Sequence, residues 1–358
     1  MPDITKFIFV FVFSALLSFV LSKLVILVAR KFNILDHPRG ERKIHDQPVP
    51  LLGGLAIYFS FVITILVLWQ SNQLLDERMS LSLIWWFLLA GFILMVNGFL
   101  DDKFSLPPYI TVWGPILATV MVIIAGLQIT YITHPDGGVL YLNNLIAPLT
   151  NLAEVIPMVI TFLWLLGITY TTKLLDGIDG LTGGIGLVAS IIIFIVSLSW
   201  DVVGSTTSLL SLSLGGAILG FLILNWHPAK VFLGEGGSTF IGFALGVLAI
   251  ISGSKIATAL LVMGLPVLDI IWVVFMRLKR GQSVWRGDRQ HLHFRLLLAG
   301  LSQRKIVIFL SAISLCFGVI SILFTNKIKI GALAVIFVLM ALLSIWLNYK
   351  TKQENYNQ

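Results

Sequence analysis

Charged residues are scarce in this chain: Asp, Glu, Lys and Arg together make up 11% of its 358 residues, whereas hydrophobic residues make up 58%. Soluble globular proteins carry about 25% charged residues, so the composition excludes an ordinary soluble domain. Cysteine is nearly absent as well. The single Cys316 lies in an apolar run, which excludes an intramolecular disulfide framework and predicts a core or lipid-facing side chain.

Long apolar runs take up most of the chain. A spanning helix needs about 20 mostly apolar residues, and by this measure the sequence predicts an all-α polytopic membrane protein with about eleven transmembrane helices. The predicted spans lie near residues 4–29, 49–69, 82–100, 110–127, 153–172, 183–200, 207–224, 238–253, 256–277, 306–325 and 330–348. No small-residue cleavage site precedes Arg30, so we interpret the first run as a helix and not as a signal peptide. Residues 1–348 are then a single integral-membrane domain, followed by a polar tail over 349–358.

The distribution of basic residues predicts the orientation. The net charge of +7 comes largely from Lys and Arg in segments 30–48 and 278–305. Cytoplasmic loops of membrane proteins carry such an excess, which predicts an N-terminus outside and a C-terminus in the cytoplasm, and makes a nucleic-acid partner unnecessary. Segment 128–152 is polar and is predicted to be an external loop with a hairpin that turns at Asp136-Gly137.

With this topology, the chemically active side chains all fall on the cytoplasmic side. Incidental charges would lie on both faces of the membrane. The agreement therefore predicts a cytoplasmic active site. The predicted active site includes the pairs Asp101-Asp102 and Asp176/Asp179, together with Glu235, His291 and His293.

Two of these groups are paired carboxylates at the ends of apolar segments. Asp176 and Asp179 stand three residues apart beside two glycines, and hard cations take oxygen ligands, which favours a metal or a phosphate–metal complex. A solvated turn is the alternative. Asp101 and Asp102 end the third span, where the helix dipole disfavours negative charge. A costly arrangement of this kind indicates metal binding or activation of a nucleophile, with an interfacial stop signal as the alternative.

Glycines surround the remaining carboxylate. Gly234, Gly236 and Gly237 precede a predicted helix, as in loops whose free backbone N–H groups cradle a phosphate. Within that loop Glu235 can hold a divalent ion and Phe232 can stack on a base. A tight hairpin and packing of Phe232 at the membrane interface are the alternatives.

The largest inside loop combines histidine and arginine over 286–295, a composition that suits a polyanion such as a nucleotide diphosphate. Its His-x-His spacing also allows a transition metal, although nothing nearby completes a zinc set, and contact with anionic lipid is a third interpretation. Lys43 and His45 of the first inside loop can bind the same anion. Asp269 lies within the ninth span, where a carboxylate is costly and is expected to be functional or paired.

Five motifs in order resemble those of the polyprenyl-phosphate N-acetylhexosamine-1-phosphate transferases, the MraY/WecA/TagO type. The last motif is more similar to the WecA/TagO branch, and the resemblance covers nearly the whole chain. The motifs are ERKIHDQPVPLLGG, NGFLDDKFSLPP, KLLDGIDGLTGG, NWHPAKVFLGEGGSTFIG and GDRQHLHFRL.

This resemblance implies transfer of a sugar-1-phosphate, GlcNAc-1-phosphate being our first choice, from a UDP-sugar to undecaprenyl phosphate, with release of UMP. It implies Mg²⁺, with Mn²⁺ as an alternative, and a bacterial plasma membrane, where the product starts a cell-envelope polysaccharide such as lipopolysaccharide or teichoic acid. A homodimer is compatible with it. The implied catalytic residues are Asp101, Asp102, Asp176 and Asp179; the implied metal ligands are Glu235 and Asp176; the implied substrate contacts are Lys43, His45, Lys173, Asn225, Phe232, Arg289, His291 and His293.

Three positions depart from the family pattern. Glu235 stands where the family usually has Asp, Lys173 where it has Asn, and Phe294 where it has a third histidine. A charged lysine cannot ligate a metal, but it can contact a phosphate directly. Two alternative functions stay open. Apolar helices with charged residues are also typical of a transporter, whose charges should lie near the bilayer midplane. The changes at Lys173 and Glu235 also allow a catalytically weak family member that acts as a scaffold.

Overall fold

The computed structural model describes residues 4–38, 45, 47–74, 80–134, 138–142, 155–200, 205–253, 256–281, 290–324 and 326–356. Helices dominate these residues, which confirms the predicted all-α class. The helices are α1 Ile4–Lys31, α2 Gly53–Gln70, α3 Leu81–Phe104, α4 Pro108–Thr111, α5 Trp113–Ile124, α6 Val155–Leu175, α7 Leu181–Trp200, α8 Thr206–Asn225, α9 Gly234–Ile251, α10 Ile256–Val262, α11 Gly264–Lys279, α12 Leu292–Leu298, α13 Gln303–Leu323 and α14 Asn326–Tyr356.

Nine helices in the described part of the chain are long and apolar enough to cross a membrane. They become ten if α10 and α11, which meet at a 77° bend, form one broken span. The span predicted near 110–127 is a shorter apolar stretch, Pro108–Ile124, divided between α4 and α5. The protein is therefore a multi-pass membrane protein, while the count of eleven and the orientation of the termini stay predictions.

Two short antiparallel ladders accompany the helices. Strand β1 (Leu35–Asp36) pairs with β2 (Val49–Pro50), and β3 (Tyr131–Thr133) pairs with β4 (Val139–Tyr141). The second ladder confirms the predicted hairpin, whose turn at 135–137 lies outside the described residues. Cys316 is exposed on α13, as expected for a lipid-facing position.

Helices α8 and α9 form the centre of the fold. In their most apolar stretches 89% and 83% of the residues are buried, against 22% in α1 and α14. A Cβ atom at Gly216 or Gly220 of α8 would overlap backbone atoms of α1. Small residues of this kind let helices approach closely in a membrane, where packing and not the hydrophobic effect drives association.

Serine hydroxyls connect the same helices. Ser14 of α1 donates to the Ser213 carbonyl oxygen at 2.6 Å, and Ser60 of α2 donates to the Ser14 carbonyl oxygen at 2.7 Å. These bonds satisfy polar groups that would be costly if left unpaired in an apolar interior.

A second glycine contact sets the position of the candidate site. A Cβ atom at Gly98 of α3 would overlap the backbone of Gly236, and one at Gly54 of α2 would overlap that of Gly237. The predicted phosphate-cradling glycines thus lie in the first turn of α9, which begins four residues before the predicted span, and Gly236 and Gly237 pack against α3 and α2; their contact with a phosphate stays a prediction. Because the backbones touch here, the start of α9 lies beside the end of α3.

Candidate active site at the ends of α3, α6 and α9

The end of α3 brings Asp102 to the start of α9. Asp102 accepts a hydrogen bond at Oδ1 from the Glu235 N–H, 3.1 Å away, and its Oδ2 lies against Gly234, where a Cβ atom would overlap it. Free N–H groups at a helix N-terminus favour a negative charge. The dipole of α9 therefore compensates Asp102 for the unfavourable dipole at the end of its own helix.

Lys173 and Glu235 form an ion pair across the site. The Lys173 Nζ atom lies 2.5 Å from Glu235 Oε1, with side-chain exposures of 26% and 10%. The ammonium also lies 5.5 Å from the centre of the Tyr170 ring. Both partners suit their helix ends, because a cation is favoured in the last turn of α6 and an anion in the first turn of α9.

Three further carboxylates, those of Asp101, Asp102 and Asp176, gather around this pair. Repulsion couples Asp102 to Glu235, Asp101 and Asp176, while Lys173 attracts Asp101. Part of Asp176 is exposed, yet loss of hydration around its carboxyl group raises the pKa to about 7; repulsion from Glu235 and Asp179 adds to this shift, and the nearby Thr182 side chain opposes it. Residues from three separate motifs thus meet at one end of the helices.

This arrangement does not fit the magnesium site predicted for Glu235 and Asp176. The oxygens are the right donors for a hard cation. However, one Glu235 oxygen is bound to the Lys173 ammonium, and within the described ranges no group of three His, Cys, Asp or Glu side chains has the geometry to hold a metal ion.

Asp179 and Asn225 hold two loops together. Asp179 Oδ2 accepts from His227 Nδ1 at 2.6 Å and from the Ala229 N–H at 3.1 Å. Asn225 accepts from the Gly180 N–H and donates to the Val231 carbonyl oxygen, both at 2.9 Å. Asp179 Oδ2 and both polar atoms of Asn225 are thus engaged within the protein, which favours a structural role for the two residues; the catalytic role of Asp179 and the uridine contact of Asn225 stay predictions. His227 is a site neighbour that was not predicted, because its signal in the sequence is a single histidine in a polar loop.

We expect Asp179→Ala to destabilise the protein by ~1–3 kcal/mol, because two hydrogen-bond donors lose their acceptor. Asp179→Asn keeps an acceptor oxygen of the same shape and should retain both the unfolding temperature and most of the activity. Thermal unfolding in detergent and a transfer assay measure the two effects. Loss of transfer in Asp179→Asn at an unchanged unfolding temperature would restore the catalytic role.

The segment between α1 and α2, predicted to be an inside loop, lies beside the loop that precedes α9. The Phe232 N–H donates to the Pro50 carbonyl oxygen at 2.8 Å, and the Gly53 N–H donates to the Phe232 carbonyl oxygen at 2.9 Å. His45 lies edge-on to the Phe232 ring with its ring centre 5.2 Å away, and its Nε2 pairs with Asp36 at 2.9 Å. Lys43 lies outside the described residues.

The histidines of the last motif are buried beside the acidic loop. His291 Nδ1 pairs with Asp269 Oδ2 at 2.9 Å, and Asp269 Oδ1 accepts from the Leu292 N–H at the start of α12. Asp269 is therefore paired, one of the two outcomes expected for it. Burial, and then the nearby His291, lower the pKa of His293 to about 3, so this ring is neutral.

His293 also contacts the Asp176 loop directly. Its Nε2 atom, which has no hydrogen-bond partner among the residues that the structure describes, lies where a Cβ atom at Gly177 would fall. The rings of His291 and His293 are parallel, with centres 5.8 Å apart. The fold thus brings His293, with His291 beside it, to the group formed by Asp101, Asp102, Asp176 and Glu235, which we call the acidic centre. Arg289 lies outside the described residues.

Comparison with known proteins agrees with these motifs. Residues 84–253 match the family model described as Glycosyl transferase family 4. The chain is 30% identical to the probable undecaprenyl-phosphate N-acetylglucosaminyl 1-phosphate transferase of Bacillus subtilis, over 94% of this chain and 89% of that protein. It is 29% identical to the decaprenyl-phosphate N-acetylglucosaminephosphotransferase of Mycobacterium leprae, over 89% of this chain and 84% of the relative.

A third relative is the undecaprenyl-phosphate alpha-N-acetylglucosaminyl 1-phosphate transferase of Escherichia coli O157:H7, 26% identical over 95% of this chain and 89% of that protein. The similarity therefore extends over almost the full length of proteins from distant bacteria. The chain belongs to glycosyl transferase family 4, and its relatives are of the WecA/TagO type that its last motif resembles.

Proposed function

We propose that this protein is an enzyme that transfers GlcNAc-1-phosphate from UDP-GlcNAc to undecaprenyl phosphate in a bacterial plasma membrane. The observation that carries the proposal is the meeting of Asp101, Asp102, Asp176 and Glu235 with Lys173 at one end of three helices. The names of the full-length relatives supply the substrate class. The product would begin a cell-envelope polysaccharide.

In the proposed reaction a lipid-phosphate oxygen attacks the phosphorus atom that carries the sugar. A new phosphorus–oxygen bond forms, the bond from this phosphorus to the bridging oxygen of UMP breaks, and UMP leaves with the electron pair. Asp102 accepts the proton of a singly protonated lipid phosphate, the role of a general base. It suits this role because the α9 N-terminus holds its carboxylate at the centre of the acidic group.

The other groups orient the two anions. Lys173 offers N–H donors to phosphate oxygens, and His291, fixed by Asp269, lies parallel to the His293 ring that contacts the Asp176 loop. The active site faces the cytoplasm in this proposal, where a soluble nucleotide sugar meets a membrane-embedded acceptor. Magnesium and a homodimer stay predictions from the resemblance.

The position of the charges argues against the transporter alternative. Asp102 and Lys173 lie in the last turns of α3 and α6, and Glu235 lies in the first turn of α9. A carrier would be expected to place such groups near the middle of its spans. A second candidate function is a scaffold without catalytic turnover. The Lys173–Glu235 pair favours this candidate because both residues depart from the family pattern.

We expect protein purified in detergent to release UMP when it is given undecaprenyl phosphate and UDP-GlcNAc, and to form a lipid-linked GlcNAc diphosphate detectable by mass spectrometry. UDP-GalNAc serves as the matched donor control, and reactions run with Mg²⁺, with Mn²⁺ and without added metal. Binding of UDP-GlcNAc without UMP release under any of these conditions would contradict the transferase function and favour the scaffold.

A further inference from the structure

The acidic centre contains a cation that belongs to the chain. The Lys173 ammonium contacts one Glu235 oxygen at 2.5 Å and attracts Asp101. A lysine ammonium carries three N–H donors. Contact with a single carboxylate oxygen therefore leaves donors for oxygens of a bound phosphate.

Helix packing fixes the position of this cation. A Cβ atom at Gly242 of α9 would overlap Thr172, the neighbour of Lys173 on α6, and one at Gly246 would press on Leu165. The two helices are thus in close contact along their length, with Lys173 and Glu235 at the same end. Exposed ion pairs are worth little, but this pair is sheltered by the surrounding helices and by Tyr170.

The ion pair also limits the ability of Glu235 to bind a divalent metal ion. A carboxylate that binds a divalent ion must offer its oxygens to the metal, yet here one of them holds an ammonium. A divalent ion in contact with this oxygen would lie close to the ammonium, and the two positive charges would repel each other. The ammonium therefore supplies, from the chain itself, positive charge beside any bound diphosphate.

We propose that Lys173, held in place by Glu235, binds the diphosphate of the nucleotide-sugar donor, so that donor binding by this chain does not require a divalent metal ion. The identity of the donor rests on the proposed function. The binding step itself can be tested without turnover.

The test measures binding of UDP-GlcNAc to the full chain in detergent by calorimetry, once with EDTA and once with Mg²⁺. Wild-type affinity is expected to differ by less than ~3-fold between the two conditions, whereas Lys173→Met should bind at least ~10-fold more weakly in EDTA because a charge-assisted contact to phosphate is lost. Lys103→Met is the matched control: Lys103 lies in the last turn of α3 with its ammonium 5.2 Å from the centre of the Phe104 ring, and its loss should leave donor affinity unchanged.

Two further variants keep the test decisive if Lys173→Met folds poorly. Lys173→Arg retains the positive charge and should retain binding in EDTA. The double variant Lys173→Asn/Glu235→Asp replaces both members of the ion pair. The Glu235 carboxylate is therefore not left in place without the Lys173 ammonium. We expect this variant to bind the donor only when Mg²⁺ or Mn²⁺ is present. Binding of Mn²⁺ by this double variant and not by wild type, followed by electron paramagnetic resonance, is a readout independent of activity.

Loss of wild-type donor binding in EDTA, with recovery in Mg²⁺, would overturn the assignment of Lys173. Equal affinity of wild type and Lys173→Met in EDTA would overturn it as well. Binding of the donor in EDTA without UMP release under any condition would support the assignment while contradicting the proposed transfer reaction, so the two hypotheses can fail separately.

Discussion

Asp102→Asn is expected to lower the rate of sugar-phosphate transfer by ~10²–10⁴-fold, the range that a general acid–base group contributes. The amide keeps an oxygen that can accept from the Glu235 N–H, so the start of α9 stays capped. What is lost is the negative charge that would take the proton of the lipid phosphate. UMP release under saturating donor and acceptor measures the effect.

Asp102→Ala is the matched comparison for this prediction. It removes both the charge and the cap, and loss of a capping side chain costs ~1 kcal/mol. Its unfolding temperature should therefore fall below those of wild type and Asp102→Asn, while transfer is as low as in Asp102→Asn. An Asp102→Asn protein with more than a tenth of wild-type transfer would leave Asp102 with the capping role alone.

Gly98→Ala is expected to have the largest effect on stability. A Cβ atom at this position would overlap the backbone N and Cα atoms of Gly236, which cannot rotate away as a flexible side chain can. Extra atoms in a packed interior typically cost ~1–3 kcal/mol, and a contact with backbone belongs at or above the upper end. The unfolding temperature should fall markedly, and transfer should fall with it because Glu235 moves away from Asp102.

Gly167→Ala provides the control for Gly98→Ala. Gly167 lies in α6, where an added Cβ atom would meet nothing within 4 Å. Alanine favours a helix over glycine by about 1 kcal/mol, so this variant should unfold at or slightly above the wild-type temperature. Equal unfolding temperatures for the two variants would contradict the close contact between α3 and α9.

The class of the fold and the residues of the acidic centre could be predicted from the amino-acid pattern alone. Apolar runs of spanning length appear as the helices predicted from them, and the carboxylates at 101, 102, 176 and 235 were identifiable because acids are rare in an apolar chain. The break at 263 between α10 and α11 and the division of 108–124 were missed, since bends depend on neighbouring helices and not on hydropathy.

The contacts of each polar group could not be predicted, because they depend on how distant helices pack. Asp179 and Asn225, predicted from the sequence as site residues, bind the loops beside them, and Gly236 and Gly237, predicted to cradle a phosphate, pack against α3 and α2. Lys173 and Glu235 are 62 positions apart in the numbering, and their ion pair forms because glycines let α6 and α9 touch. Spacing along a chain can suggest residue chemistry, whereas partners are set by packing between distant segments.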